Sequence, residues 1–220
     1  MAIFALGLLL VTGAAETVEA VEAPDHAYLS DLIRRATEAK LADERMWHLL
    51  LHYRPTVLGG VVSEADDPGF FLAPEGKTDP QAELAVTLAH FFNNELVGRS
   101  RQPAQCAFIA RYHWLKTRLK FDPARLPPIR CERFDAWLAE LAPAGVSLIF
   151  PSAFMNNPAS MFGHTFLRID QKGQTEQTRI LAYTINFAAD VDTDSGIAFA
   201  VLGVAGGFKG YFSTIPYYLK

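Results

Sequence analysis

Apolar positions along the chain fall into two regimes. From Tyr28 to Leu141 they recur at helical spacing; beyond Pro143-Ala144-Gly145 they bunch into short β-type runs. Leu32, Ile33, Ala36, Ala39 and Leu41, then Met46, Leu49 and Leu50, predict a helix over Tyr28 to His52, with Ser30 as its cap. Gly59-Gly60 and Asp66-Asp67-Pro68-Gly69 mark a loop, with Phe70-Phe71-Leu72 as an apolar insertion. Asp79 as cap and Pro80 at the first position open a helix running to about Leu96, with Leu84, Leu88, Phe91 and Leu96 on its buried side. Gln105 to Leu119 and Phe134 to Leu141 are further helices, separated by Pro123 and Pro127-Pro128. Strands are predicted at Val146 to Phe150, Thr165 to Asp170 and Arg179 to Phe187, with Lys172-Gly173 at a turn. Helices first and strands later predict an α+β fold, N-terminal helices packed on an antiparallel sheet. The stretch from Val201 to Tyr211 is rich in glycine and apolar residues and carries no element assignment.

The start of the chain divides it further. Ala2 to Val11 is an apolar run followed by Gly13, Ala14 and Ala15, which reads as an export signal over residues 1–23, although no Lys or Arg precedes it. The run is short for a membrane span. A helical part, 24–143, and a β-rich part, 144–220, are then expected to form one domain. Three strands make a narrow sheet with open edges, and the sequence stays aromatic to Lys220, so a longer parent protein is expected. The 220 residues are 50% hydrophobic with a net charge of −4. That composition suits a folded core and gives no basic footprint for nucleic acid.

Two cysteines, Cys106 and Cys131, are present. In an exported chain an even pair points to a disulfide, the alternative being a catalytic thiol. A bridge would close a loop of about 25 residues and contribute about 3 kcal/mol. His48 and His52 stand four apart on the first predicted helix, spacing that would suit a metal, but no acidic helper adjoins them. They read as structural, and no metal or cofactor is expected.

The chemistry concentrates in Pro151 to Asp170. A polar loop, Asn156-Asn157-Pro158, leads to Gly163-His164 at the mouth of a strand. Glycine there permits close approach of backbone or ligand, and an imidazole titrating near neutrality suits a general base. A lone histidine beginning a strand is more often structural, so the sequence pattern alone leaves both readings open. In a hairpin the end of the third strand returns to the start of the second, bringing Asn186 near His164 as an orienting group; Asp170 at the far end is a weaker candidate.

Ser152, Phe154, Asn156-Asn157-Pro158 and Ser160-Met161-Phe162-Gly163-His164-Thr165-Phe166-Leu167-Arg168 resemble the signature of the periplasmic domain at the N-terminus of Lnb-type lipoprotein N-acyltransferases. Phe70-Phe71-Leu72, Asp79-Pro80 with Glu83-Leu84, Gln105-Cys106, Ala110-Arg111-Tyr112, and Cys131 before Trp137 agree more weakly. The resemblance implies a permuted papain-like or NlpC-like half-site in which the histidine strand precedes the nucleophilic cysteine. It implies acyl transfer from phospholipid to the amino terminus of a lipoprotein, His164 acting as base and Asn186 as orienter. Asn156, Asn157, Ser160, Gly163 and Arg168 would contact substrate or oxyanion. Cys106 and Cys131 match the pattern's early cysteines; no Cys follows His164, so the nucleophile and any membrane-spanning part are expected beyond Lys220. The contrasting expectation is a non-catalytic envelope module contacting lipid through Phe70, Phe71 and the Phe208 to Tyr211 stretch.

Overall fold

The computed structural model describes residues 25–150, 165–190, 195–205 and 207–219. Its architecture is α+β with antiparallel sheets. Helix α1 (His26–Glu38) begins at Asp25, whose side chain accepts from the Tyr28 amide; Ser30 instead donates to the His26 carbonyl from inside the helix. The expected long helix to His52 is broken. After α1 the backbone turns left-handed at Lys40, passes through a 3-10 turn (Leu41–Asp43), and resumes as α2 (Arg45–Leu50). His52, with φ 56°, lies past the end of α2. His48 and His52 therefore do not share a helical face: the His48 ring nitrogen Nε2 meets the Ala42 carbonyl at 2.9 Å, and the His52 ring lies by Phe70.

A small ribbon, β1 (Tyr53–Pro55) with β2 (Val61–Ser63), follows. Helix α3 (Pro80–His90) starts as expected, Asp79 accepting from the amides of Gln81 and Ala82 with Pro80 inside the first turn. It ends earlier than expected: Phe91 is its C-cap, and Leu96 is exposed in the two-residue strand β3 (Leu96–Val97), paired with β4 (Gln102–Pro103). The predicted Gln105 helix is interrupted at Phe108, giving α4 (Ala104–Ala107) and α5 (Ile109–Leu119). The core of this helical part contains Leu32, Trp47, Leu84, Leu88, Phe91 and Leu115, each 1% exposed or less, within a cluster running from Tyr28 to Leu126. A side chain of that size contributes roughly 1.5–3 kcal/mol on full burial.

Helix α6 (Glu132–Leu141) leads into a four-stranded sheet ordered β5 (Pro143–Ile149), β6 (Phe166–Gln171), β7 (Tyr183–Asp190), β8 (Lys209–Pro216). The expected three-stranded sheet thus gains a fourth strand. The stretch without an assignment forms helix α7 (Gly196–Ala205) followed by β8. All neighbours pair antiparallel. Helix α6 is tied to the sheet: the Ala142 carbonyl accepts from the Lys172 amide at 2.8 Å, and Tyr183 donates to the Glu140 carboxylate.

Candidate functional site

The sheet register sets which groups can share chemistry. Ser147 lies opposite Arg168, Arg168 opposite Thr184, and Thr184 opposite Ile215, one row across four strands. Directly opposed residues in an antiparallel ladder share a face, and alternation adds Phe166 and Asn186 to this one. The face is buried and unusually polar: Arg168 is 8% exposed, Asn186 6% and Thr184 0%. The reverse face carries Val146, Leu148 and Leu167, all exposed, beside the buried Ile169. Apolar-in and polar-out is the ordinary pattern of a half-covered sheet. The buried polar groups depart from it and are the informative kind of exception.

The burial of Arg168 and Thr184 on that face is explained by their contacts. The Arg168 guanidinium donates through Nε to Asp170 at 2.8 Å and reaches Ser147 Oγ at 3.3 Å. It lies 5.6 Å from the centre of the Tyr217 ring, which also packs on Phe166. Ser147 donates to the other Asp170 oxygen at 2.5 Å. The Ser147 hydroxyl, then the Arg168 charge, hold the Asp170 carboxyl below its ordinary 3.8. Thr184 donates to the Ile215 carbonyl at 2.9 Å. Arg168 therefore links β5 to β6 beneath Tyr217, with its charge already paired.

The register runs Ile169 with Tyr183 and Leu167 with Ile185, so Asn186 falls near the start of β6, whose first residue stands two places after His164 in the sequence. His164, Asn156, Asn157, Ser160 and Gly163 lie outside the described residues. Cys106 and Cys131 form a disulfide, with Cα atoms 5.3 Å apart, and no free cysteine is present. The catalytic-thiol alternative for this pair is thereby set aside.

A second buried polar centre had no sequence forecast. Glu83 on α3 and Arg111 on α5, 0% and 3% exposed at their side chains, are paired at 2.7 Å. Glu83 also accepts from the amides of Leu72 and Ala73, and Arg111 donates to the Phe70 carbonyl while its guanidinium lies over the Phe70 and Phe108 rings. Burial pushes the Glu83 carboxyl up and the Arg111 guanidinium down to about 10, each opposed by the other's charge. The Phe70-Phe71-Leu72 insertion is thus held by main-chain bonds to an ion pair. Glu83 and Thr87, interleaved with Leu84 and Leu88 on the buried side of α3, were the only trace of this in the sequence.

Residues 133–220 match the family described as the Lnb N-terminal periplasmic domain. This stretch is similar to that periplasmic family, which supports a periplasmic location. Residues 39–118 match a separate family, a domain of unknown function (DUF7843). The weaker similarities at Phe70 to Leu72, Glu83 and Arg111 therefore fall in a stretch with its own family. No curated protein and no solved structure matches the chain. Among the described residues no helix is long and apolar enough to cross a membrane.

Proposed function

We propose that this Lnb-type periplasmic chain contributes half of a Cys/His acyl-transfer site. His164 serves as general base and Asn186 fixes its tautomer and orientation. The loop residues Asn156, Asn157, Ser160 and Gly163 line the substrate side, with Arg168 bracing the strand behind them. The family match over residues 133–220 carries the reading. The burial of Asn186 on a polar sheet face supports it, because a buried amide has few free rotamers and would present a fixed hydrogen-bonding group. Both cysteines are spent in the disulfide, so a thiolate nucleophile would come from outside these 220 residues, and the 220-residue chain alone is expected to be inert. In the proposed reaction His164 takes the thiol proton, the thiolate attacks a phospholipid ester, and the C–O bond breaks to release the lysophospholipid alcohol, which takes the proton from His164; the lipoprotein amine then attacks the thioester, giving its proton to His164, and the amide forms as the thiolate leaves. Tethering of the whole protein to the membrane belongs to the same proposal.

The test is N-acylation of a diacylated lipopeptide by the full-length protein. His164→Ala should lower turnover by about 10²–10⁴-fold, the usual contribution of a positioned general base. Asn186→Ala should lower it less and shift the pH profile. Unchanged turnover in His164→Ala would overturn the enzyme reading. It would favour the second reading, an envelope-binding module, for which the exposed Ile197, Phe199, Val201 and Val204 of α7 speak.

A further inference from the structure

Between α5 and the start of α6 lies a groove of about 200 Å³. Tyr112 and Phe134 form apolar walls, and Lys116, Arg130 and His113 add cationic or titratable groups; one carboxylate, Asp135, lines it too. Among the described residues neither Lys116 nor Arg130 has a carboxylate partner within ion-pair distance, although eleven arginine or lysine pairs form elsewhere. Lys116 Nζ stands 5.7 Å from the centre of the Tyr112 ring, so the cation and the apolar wall are presented together. The groove is also pre-shaped: Cys131 lines it, and its bond to Cys106 fixes the entry to α6 against α4. It draws on both matched stretches, Tyr112 and Lys116 from one and Phe134 and Asp135 from the other.

We propose that this groove binds a small organic anion, a phosphate or carboxylate carried on an apolar or aromatic group. Lys116 and Arg130 take the anion, Arg130 through its planar fork and Lys116 as a point charge. Tyr112 and Phe134 take the apolar part. A volume of this order holds about seven water-sized groups, since a liquid water occupies roughly 30 Å³. Phenyl phosphate carries both parts of such a ligand, and the site is independent of the acyl-transfer reading.

The experiment titrates phenyl phosphate into the whole chain and follows backbone amide NMR shifts. Saturable shifts clustered at Lys116, Arg130, Cys131 and Phe134 are expected, with Kd below about 1 mM. Lys116→Gln with Arg130→Gln should weaken binding about tenfold or more, as expected for losing charged hydrogen bonds. Both side chains lack ion-pair partners, so an unchanged urea midpoint separates loss of the site from loss of the fold. Phosphatidylglycerol vesicles that displace phenyl phosphate would assign the anion to a lipid headgroup, and vesicles that do not would assign it to a soluble molecule. Absence of saturable shifts, equal binding by the double variant, or equal binding of inorganic phosphate would overturn the proposal.

Discussion

Arg111→Met isolates the cost of leaving Glu83 buried without its counter-charge. Methionine keeps the apolar stem against Phe70 and Phe108 but removes the 2.7 Å ion pair and the bond to the Phe70 carbonyl. Removing one partner of a buried pair costs about 3–5 kcal/mol, because the remaining charge has no solvent. The loss has a definite pH dependence. In the variant the folded Glu83 carboxyl, already raised by burial, loses the cation that opposed the rise. A carboxyl raised in the folded state costs nothing below its unfolded value near ~4.3, and the penalty grows by about 1.4 kcal/mol per pH unit above it until the folded value is reached. Adding Glu83→Leu removes the stranded charge but orphans the amides of Leu72 and Ala73, about 1–3 kcal/mol each. The double variant should therefore stay less stable than the native chain. Urea unfolding followed by the fluorescence of Trp47, buried and stacked on Trp114 at 5.6 Å, reads all of this. A loss under about 1 kcal/mol that is flat with pH, or a double variant as stable as the native chain, would refute the reasoning.

Other consequences follow from the same structure. Reducing the Cys106–Cys131 bridge, which closes a separation of 25 residues, should lower stability by about 3.5 kcal/mol on the chain-entropy estimate, measured as a shift in urea midpoint. Gly76→Ala would drive a Cβ into a Glu83 oxygen and place it 3.0 Å from the Ala73 carbonyl, so a loss of about 1–3 kcal/mol is expected in the same assay. Asp170 has a depressed folded value, so its contribution is present above its unfolded value near ~3.9 and lost as pH falls through the folded one. Acid unfolding of Asp170→Asn should accordingly be shallower than that of the native chain over that window.

The parts of the fold that were legible had local signals. Asp79-Pro80 states a helix start by side-chain capping and a missing donor, and α3 starts there. Cys106 and Cys131 were paired on redox logic, and the Tyr183–Asp190 strand returned Asn186 to the start of β6. The stops at Leu119 and Leu141 were read where α5 and α6 end, but the break inside Tyr28 to His52 was not, for a physical reason. After α1 and α2 the chain turns through a left-handed residue, which glycine normally supplies. Here Lys40 and His52 take that conformation instead. Each costs roughly 1–2 kcal/mol of backbone preference and leaves no mark in the sequence. That is why Tyr28 to His52 read as one helix. The Gly-rich stretch from Val201 to Tyr211 carried no assignment, yet Gly203 lies in α7 and Gly210 in β8. The polar sheet face was half visible. Arg168 and Asp170 alternate along one strand, but Ser147, Thr184 and Tyr217 join them only through register. The ion pair of Glu83 with Arg111, 28 residues apart, is a tertiary fact with no local pattern.

The central claim, that His164 activates a thiol for acyl transfer, is tested most directly by trapping the acyl-enzyme. Full-length protein is incubated with phospholipid and no acceptor, and its intact mass is measured. The account predicts a gain of one acyl chain, released by hydroxylamine, passed on when a lipopeptide amine is added, and formed far more slowly in His164→Ala. No adduct, or one that forms at the same rate in His164→Ala, would contradict it.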